Sequence, residues 1–227
     1  MNLSIRLKIL DRLYALYDEF VGSLDVACQK YCAHCCTRNV TLTTLEGYRI
    51  VDYAEFCHKS AWLQAVKSAS RKKRFQPKIT TNTIAEFCMR DRCLPDEEVP
   101  LKCESCPLLS EDKCSLYQAR PFGCRCMISK RNCHKTGFAE MDEFTVTVNC
   151  VFLQTIEHLD FDGGSGNLTD ILLCLATEKN RYAYQTKTLP FTKWELIPNQ
   201  PMKVLMIPPE HRQEMGPILQ ALHRITL

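Results

Sequence analysis

No apolar run in the chain approaches the roughly eighteen residues needed to cross a bilayer. The first residues, Met1-Asn-Leu-Ser-Ile-Arg-Leu-Lys8, carry charge every few positions and lack the hydrophobic stretch of a secretory signal. The two absences together predict a cytoplasmic protein with no membrane partner. Also missing are a phosphate-cradling P-loop, a Ser-His-Asp set and a carboxylate pair with a clear role, so no catalytic residue is identified. Histidines number six, and none is spaced for a Cys2His2 site. Charge of one sign is lacking as well: 29 basic residues face 26 acidic ones, for a net +3, which gives no argument for nucleic-acid binding. The single charge run, Ser70-Arg71-Lys72-Lys73-Arg74, has no interleaved aromatics and reads as a solvated helix end before Pro77. There are no repeats and no low-complexity tract.

Cysteine, by contrast, is abundant: fifteen in 227 residues. The count is odd, and a chain of this length can bury a core without staples, so a disulfide framework is the weaker reading. Four of the fifteen crowd into Cys28-Gln-Lys-Tyr-Cys32-Ala-His-Cys35-Cys36. A short turn carrying several sulfurs suits ligation, because metal–sulfur bonds are only about 2.3 Å long. Adjacent side chains diverge, so Cys35 and Cys36 serve two metals, or two irons of one cluster, more easily than one ion. A second group follows about seventy residues later: Cys103-Glu-Ser-Cys106, Cys114, and Cys124-Arg125-Cys126.

Cys28, Cys32, Cys35, Cys36, Cys106, Cys114, Leu116, Tyr117, Arg120, Pro121, Cys124 and Arg125 together resemble the zinc- or iron-chelating cysteine-cluster (CxxCxCC) domain family. The likeness spans residues 28 to about 126, with Cys150 at its outer edge. Cys103, Cys126 and Cys133 are additions to the pattern, and a helical insertion separates its halves. The family includes flagellin lysine N-methylase-like proteins. The resemblance therefore implies an iron–sulfur cluster, with S-adenosylmethionine-dependent methyl transfer to a protein substrate as an alternative activity. A metal-handling or redox-sensing role is the third reading.

The expected metal ligands are Cys28, Cys32, Cys35, Cys36, Cys106, Cys114 and Cys124, led by Cys32, Cys35, Cys36 and Cys124. A [4Fe–4S] cluster or a structural zinc takes four thiolates, so seven exceed one such site and fall one short of two. One reading takes three sulfurs from the first group and one from the second; the other places two metals. The spacing departs from the ferredoxin run, which keeps zinc as the rival to a cluster. Arg120 and Arg125 beside Cys124 either stabilise a negative cluster or bind an anionic group of a cofactor; the alternative is that Arg120 pairs with a carboxylate and fixes the turn. His34 and His134 read as neighbours of the thiols rather than ligands. Cys57, Cys88 and Cys174 read as small core residues.

The predicted fold is mainly α, with helices around an irregular cysteine-rich metal-binding core and little β. An amphipathic helix occupies residues 1–27, its stripe running through Leu3, Leu7, Leu10, Tyr14, Tyr17, Val21 and Leu24 with Arg6 outside it. The cysteine core with its insertion spans 28–150, and a helical or mixed extension packed on it spans 151–227. Thr43-x-x-Glu46 predicts a capping box for a helix to about Cys57, Ser60 starts another, and Thr83-x-x-Glu86 a third. Residues 144–148 alternate like a strand, as does Val204–Ile207, and a helix closes the chain from about Glu210 to His223. The glycine-rich stretch Asp160–Asn167 is similar to an S-adenosylmethionine loop but reads better as a plain turn capping the next helix.

Overall fold

The computed structural model describes residues 1–98 and 104–226; Cys103 lies outside the described residues. The chain is mainly α with little β, about half of it helical. In order come α1 (Leu3–Gly22), β1 (Thr41–Thr43), α2 (Thr44–Phe56), α3 (Ala61–Ala69) and α4 (Thr81–Met89). The hairpin β2 (Leu109–Ser110) and β3 (Lys113–Cys114) precedes a single 3-10 turn at Tyr117–Ala119, then α5 (Phe122–Arg125) and α6 (Cys133–Thr136). There follow α7 (Glu143–Leu159), β4 (Gly164–Asn167), α8 (Leu168–Leu175), α9 (Glu178–Gln185), β5 (Ile197–Pro198) and α10 (Gly216–Thr226).

Two apolar clusters organise these helices. One gathers Ile50, Val51, Trp62, Val66, Ile171, Leu172 and Leu175, joining α2 and α3 to α8. The other joins α1, α5, α7 and α10 through Leu10, Leu13, Tyr17, Phe122, Phe152 and Met215. At its centre Phe122 stacks on Phe152 at 5.6 Å, and the Tyr17 ring sits edge-on to both. The residue-150 boundary falls inside α7, and each cluster draws on residues from both sides of it.

A short antiparallel sheet ordered β1-β4-β5 lies between the clusters, pairing Leu42 with Gly166 and Ser165 with Ile197. The glycine-rich stretch is thus a turn only over residues 160–163, and its second half, Gly164–Asn167, is the central strand. Glycine is needed there because a Cβ on Gly166 would stand 2.6 Å from Leu196 Cδ2. The N–H groups of the stretch's first two glycines are also committed, Gly163 to Asp160 O and Gly164 to Thr44 Oγ1. Asn167 caps α8 through Thr169 N, as the sequence suggests.

Where the sheet meets α1, α2 and α9, the carboxylate of Asp160 is wholly enclosed. Its Oδ1 accepts from Arg6 Nη1 at 3.0 Å and Tyr184 OH at 2.6 Å; its Oδ2 accepts from Thr44 Oγ1 at 2.6 Å and Leu45 N at 2.9 Å. Arg6 therefore lies inside the buried stripe of α1, with Ile9, Leu10, Leu13, Tyr14 and Tyr17, and not on its solvent face. The guanidinium is tolerated because its charge is met.

Other differences have similar causes. The capping box at Thr43 and Glu46 is present, but α4 is capped by Thr80 rather than Thr83. Residues 144–148 belong to α7, where Val148 packs inward and Val146 faces solvent; a helix buried on a broad face gives the same local alternation as a strand. Val204–Ile207 is irregular, with Gln154 donating to Val204 O and accepting from Met206 N. The closing helix begins at Gly216, after a 3-10 turn at Pro209–His211. Arg74, at the end of the charge run, is part-buried against Asp170 of α8 rather than solvated.

Asp160→Ala leaves the Arg6 charge enclosed without a counter-ion, and is expected to cost about 3–5 kcal/mol in urea denaturation. Burial pushes the Asp160 carboxyl up to about 6, against about 3.9 in an unfolded chain. The folded state thus binds its proton more tightly, so this group's contribution to stability falls as pH rises from about 4 to about 6 and is level above that. Asp160→Asn should make that fall shallower when denaturation midpoints are compared from pH 4 to 7.

Candidate metal centre

Residues 23–40, between α1 and β1, form a chain of turns rather than a regular element. Cys32 N donates to Gln29 O, Cys36 N to Ala33 O and Thr37 N to Cys35 O, at 2.9–3.0 Å. Tyr31, with φ of 76°, reverses the chain between the first two cysteines. The segment is then zipped to the second cysteine group by an isolated antiparallel bridge, Thr37 with Ser105. Cys106 N donates to Cys36 O at 2.9 Å and Arg38 N to Glu104 O at 3.1 Å. The two cysteine groups, some seventy residues apart in sequence, therefore share backbone hydrogen bonds.

Cys114 arrives by the β2–β3 hairpin, where it pairs with Leu109. Its two-residue turn, Glu111-Asp112, has φ of 48° and 59°. These values suit the primed turn that matches strand twist, although neither residue is glycine. Cys124 sits on α5, which the chain enters through Arg120-Pro121. The short helix lies against β1 so closely that a Cβ on Gly123 would stand 2.9 Å from Thr41 O.

The outcome is a cavity of about 240 Å³ whose walls include Cys28, Cys32, Cys35, Cys36, Cys106, Cys114 and Cys124. All seven cysteines expected from the family resemblance line it, as do Arg120 and Arg125. The other described cysteines do not line it. Cys126 faces the core and donates to Gly123 O at 3.7 Å, Cys150 is half-buried on α7 and Cys174 is buried. Cys88 is exposed and Cys57 half-buried, so these two are not the core residues their apolar neighbours suggest. Every described cysteine is a free thiol. Among the described residues, no three His, Cys, Asp or Glu side chains stand close enough together to hold a metal ion. Thiols are nonetheless the main ligand type in the lining, and Asp18, which also lines it, is paired with Arg125; such a set suits zinc, Cu(I) or iron–sulfur chemistry rather than hard cations.

Burial is the main influence on the thiols of the second group. It pushes Cys106 up to about 11, and it raises Cys114 and, more strongly, Cys124. Cys36 moves the other way, because the neighbouring Cys35 thiol hydrogen-bonds to it. Arg125 is fully engaged: it pairs with Asp18 at 2.8 Å, donates to Arg120 O and Gln118 O, and lies 4.2 Å over the Tyr14 ring. Arg120 makes no carboxylate pair among the described residues; it stacks 4.1 Å over Tyr117 and donates to Tyr117 O. Its guanidinium therefore remains the one of the two whose charge is not already neutralised.

Glu46 joins this wall to the helices. Its Oε1 accepts from Phe122 N at 2.7 Å and Tyr14 OH at 2.9 Å, while Oε2 accepts from Thr43 N at 2.9 Å. The sequence marks Glu46 only as half of a capping box; its reach to α5 depends on tertiary packing. A helix-cap glutamate followed by no exposed partner is the sole local hint. Compared with family models, curated proteins and solved structures, the chain matches none.

Glu46→Ala strands three buried donors, Phe122 N, Tyr14 OH and Thr43 N, at about 1–3 kcal/mol each. The expected result is a lower denaturation midpoint together with faster alkylation of Cys124, followed by mass spectrometry of the labelled thiols.

Proposed function

We propose that the chain is a metal-binding protein whose cysteine-lined cavity holds a thiolate-ligated centre, an iron–sulfur cluster or zinc. The observation that carries this reading is the convergence of Cys28, Cys32, Cys35, Cys36, Cys106, Cys114 and Cys124 on one cavity from two remote segments. Core packing does not require such a gathering, since each thiol is only part-buried. Bound there, a cluster would supply one-electron transfer, and zinc a rigid cross-link between the two segments. The chain's own part is to bring the sulfurs together and to balance their charge. Cys36 and Cys106 are aligned by their shared backbone bond, Cys114 by the hairpin and Cys124 by α5. Arg120 offsets the negative charge that four thiolates leave on a divalent centre. Thiols bind metal as thiolates, so binding must release protons and tighten the 28–36 loop, coupling occupancy to stability.

Anaerobic purification followed by elemental analysis and an absorption spectrum of the same sample tests the reading. Iron with acid-labile sulfide in a brown protein identifies a cluster; stoichiometric zinc in a colourless one identifies a structural ion. A protein with all thiols reduced and no metal at all would sink the proposal. Cys36→Ser and Cys124→Ser should each lose most of the metal and lower the melting temperature, whereas Cys57→Ser and Cys88→Ser should keep both at the level of the unaltered chain.

A further inference from the structure

Where α1 packs against α7 and α10, the second apolar cluster does not close completely. A cavity of about 410 Å³ remains, its walls including Val151 and Leu159 of α7, Leu219 and Leu222 of α10, and Leu205. Protein interiors hold few voids larger than a water molecule, and this one falls within the size range of small-molecule sites. None of the described cysteines lines it, so it is separate from the thiol wall.

Arg6 also lines this cavity. Its side chain is only 9% exposed, and a guanidinium carries N–H donors on every nitrogen. Yet among the described residues its one side-chain hydrogen bond is from Nη1 to Asp160. The Tyr184 ring covers one face of the group, 5.2 Å from Cζ. Nε is enclosed without a partner, and Nη2 donates to no described residue. The Nε–Nη2 edge, which can hold a carboxylate by two parallel bonds, is thus unused. Asp160 does not exhaust the charge of Arg6, because its oxygens also serve Tyr184 OH, Thr44 Oγ1 and Leu45 N.

Other polar groups of the wall are already engaged. Thr155 Oγ1 donates to Val151 O at 2.7 Å, and Asp162 pairs with Lys187 at 2.7 Å. His158 Nδ1 accepts from Met202 N at 3.2 Å, so the neutral ring carries its proton on Nε2. Phe161, half exposed, stacks on that ring with centroids 6.4 Å apart and marks the mouth. The wall therefore combines apolar surface with a buried cation that has a donor edge to spare.

We propose that this cavity binds a carboxylate with an apolar chain, of the fatty-acid type. The chain lies between α7 and α10, and the carboxylate meets Arg6 at Nη2 and then at the more enclosed Nε. The site is independent of the metal centre. Since Arg6 also holds Asp160, an occupant would brace the junction of α1, α2 and α9, and binding to the folded chain alone raises its stability.

The test is calorimetric titration of the full chain with sodium octanoate below its micelle-forming concentration, and with octan-1-ol as the uncharged control. Octanoate is expected to bind saturably, with octanol weaker by about tenfold. Leu219→Trp, which fills the cavity, should abolish octanoate binding. Arg6→Lys keeps a cation opposite Asp160 but removes the planar edge, and should lose most of the preference for the acid. Equal affinity for acid and alcohol in the unaltered chain would overturn the proposal. So would octanoate binding that survives Leu219→Trp, full preference for the acid in Arg6→Lys, or no saturable binding at all. Should circular dichroism show Arg6→Lys unfolded, the acid-to-alcohol ratio of the unaltered chain and the Leu219→Trp titration decide. Every one of these results leaves the reading of the thiol cavity untouched.

Discussion

A carboxylate shut away from water must be met by donors or surrender its charge, and the fold is arranged around two that are met. Asp160 draws on α1, α2 and α9 at once, through Arg6, Thr44, Leu45 and Tyr184, and Asn199 adds a bond to its backbone oxygen. Glu46, one turn into α2, draws on α1 and α5. The N-terminus of α2 therefore lies between two buried anions. The first holds the end of α7 and the sheet against it, and the second holds the start of α5. The apolar clusters supply most of the driving force for burial, but they are non-directional. These directed bonds set how the two clusters are placed relative to each other.

That arrangement positions the thiol wall. Cys124 follows Phe122 by two residues, and Phe122 is fixed twice, by its amide to Glu46 and by its ring against Phe152. Arg125, one residue on, is bound to Asp18 and Tyr14 of α1. The segment bearing Cys36 joins β1 within a few residues, and β1 leads directly into the capping box of α2. Both sides of the cavity are thus anchored to the same helix terminus. Cys28, Cys32, Cys35 and Cys36 sit on turns, where the backbone can shift without breaking a helix or a sheet, whereas Cys114 and Cys124 are held by β3 and α5. A rigid frame with adaptable ligand loops is what a site needs if ligand geometry is completed on binding.

The sequence is most legible where the signal is local. Helix α1, the capping box of α2, the start of α3 and the mainly α character all follow from apolar spacing and cap chemistry, and the seven cysteines that share a cavity are those picked out by the resemblance to the cysteine-cluster family. What sequence could not reveal depends on distant partners. Arg6 belongs in a buried stripe only because Asp160, far along the chain, lies opposite it. The Gly164–Asn167 stretch reads as a turn because glycines usually make turns; here they let a strand pass close to Leu196. Residues 144–148 alternate because one face of α7 is buried, and a five-residue window cannot tell that from a strand.

The bridge between Thr37 and Ser105 closes a long loop, which holds the helices α2, α3 and α4. As the chain is synthesised, Cys28, Cys32, Cys35 and Cys36 emerge well before any residue that could hold them in place. Through that interval four reactive thiols are carried on an unanchored segment, open to oxidation or to capture by whatever metal is most abundant. Only when Ser105 and Cys106 have emerged can the backbone pairing form, and only with Cys124 is the far wall complete. Fidelity of metal choice in such a chain is therefore a matter of timing as much as of affinity: the order of the cysteines along the sequence sets a window during which the first of them depend on the reducing power and metal supply of their surroundings.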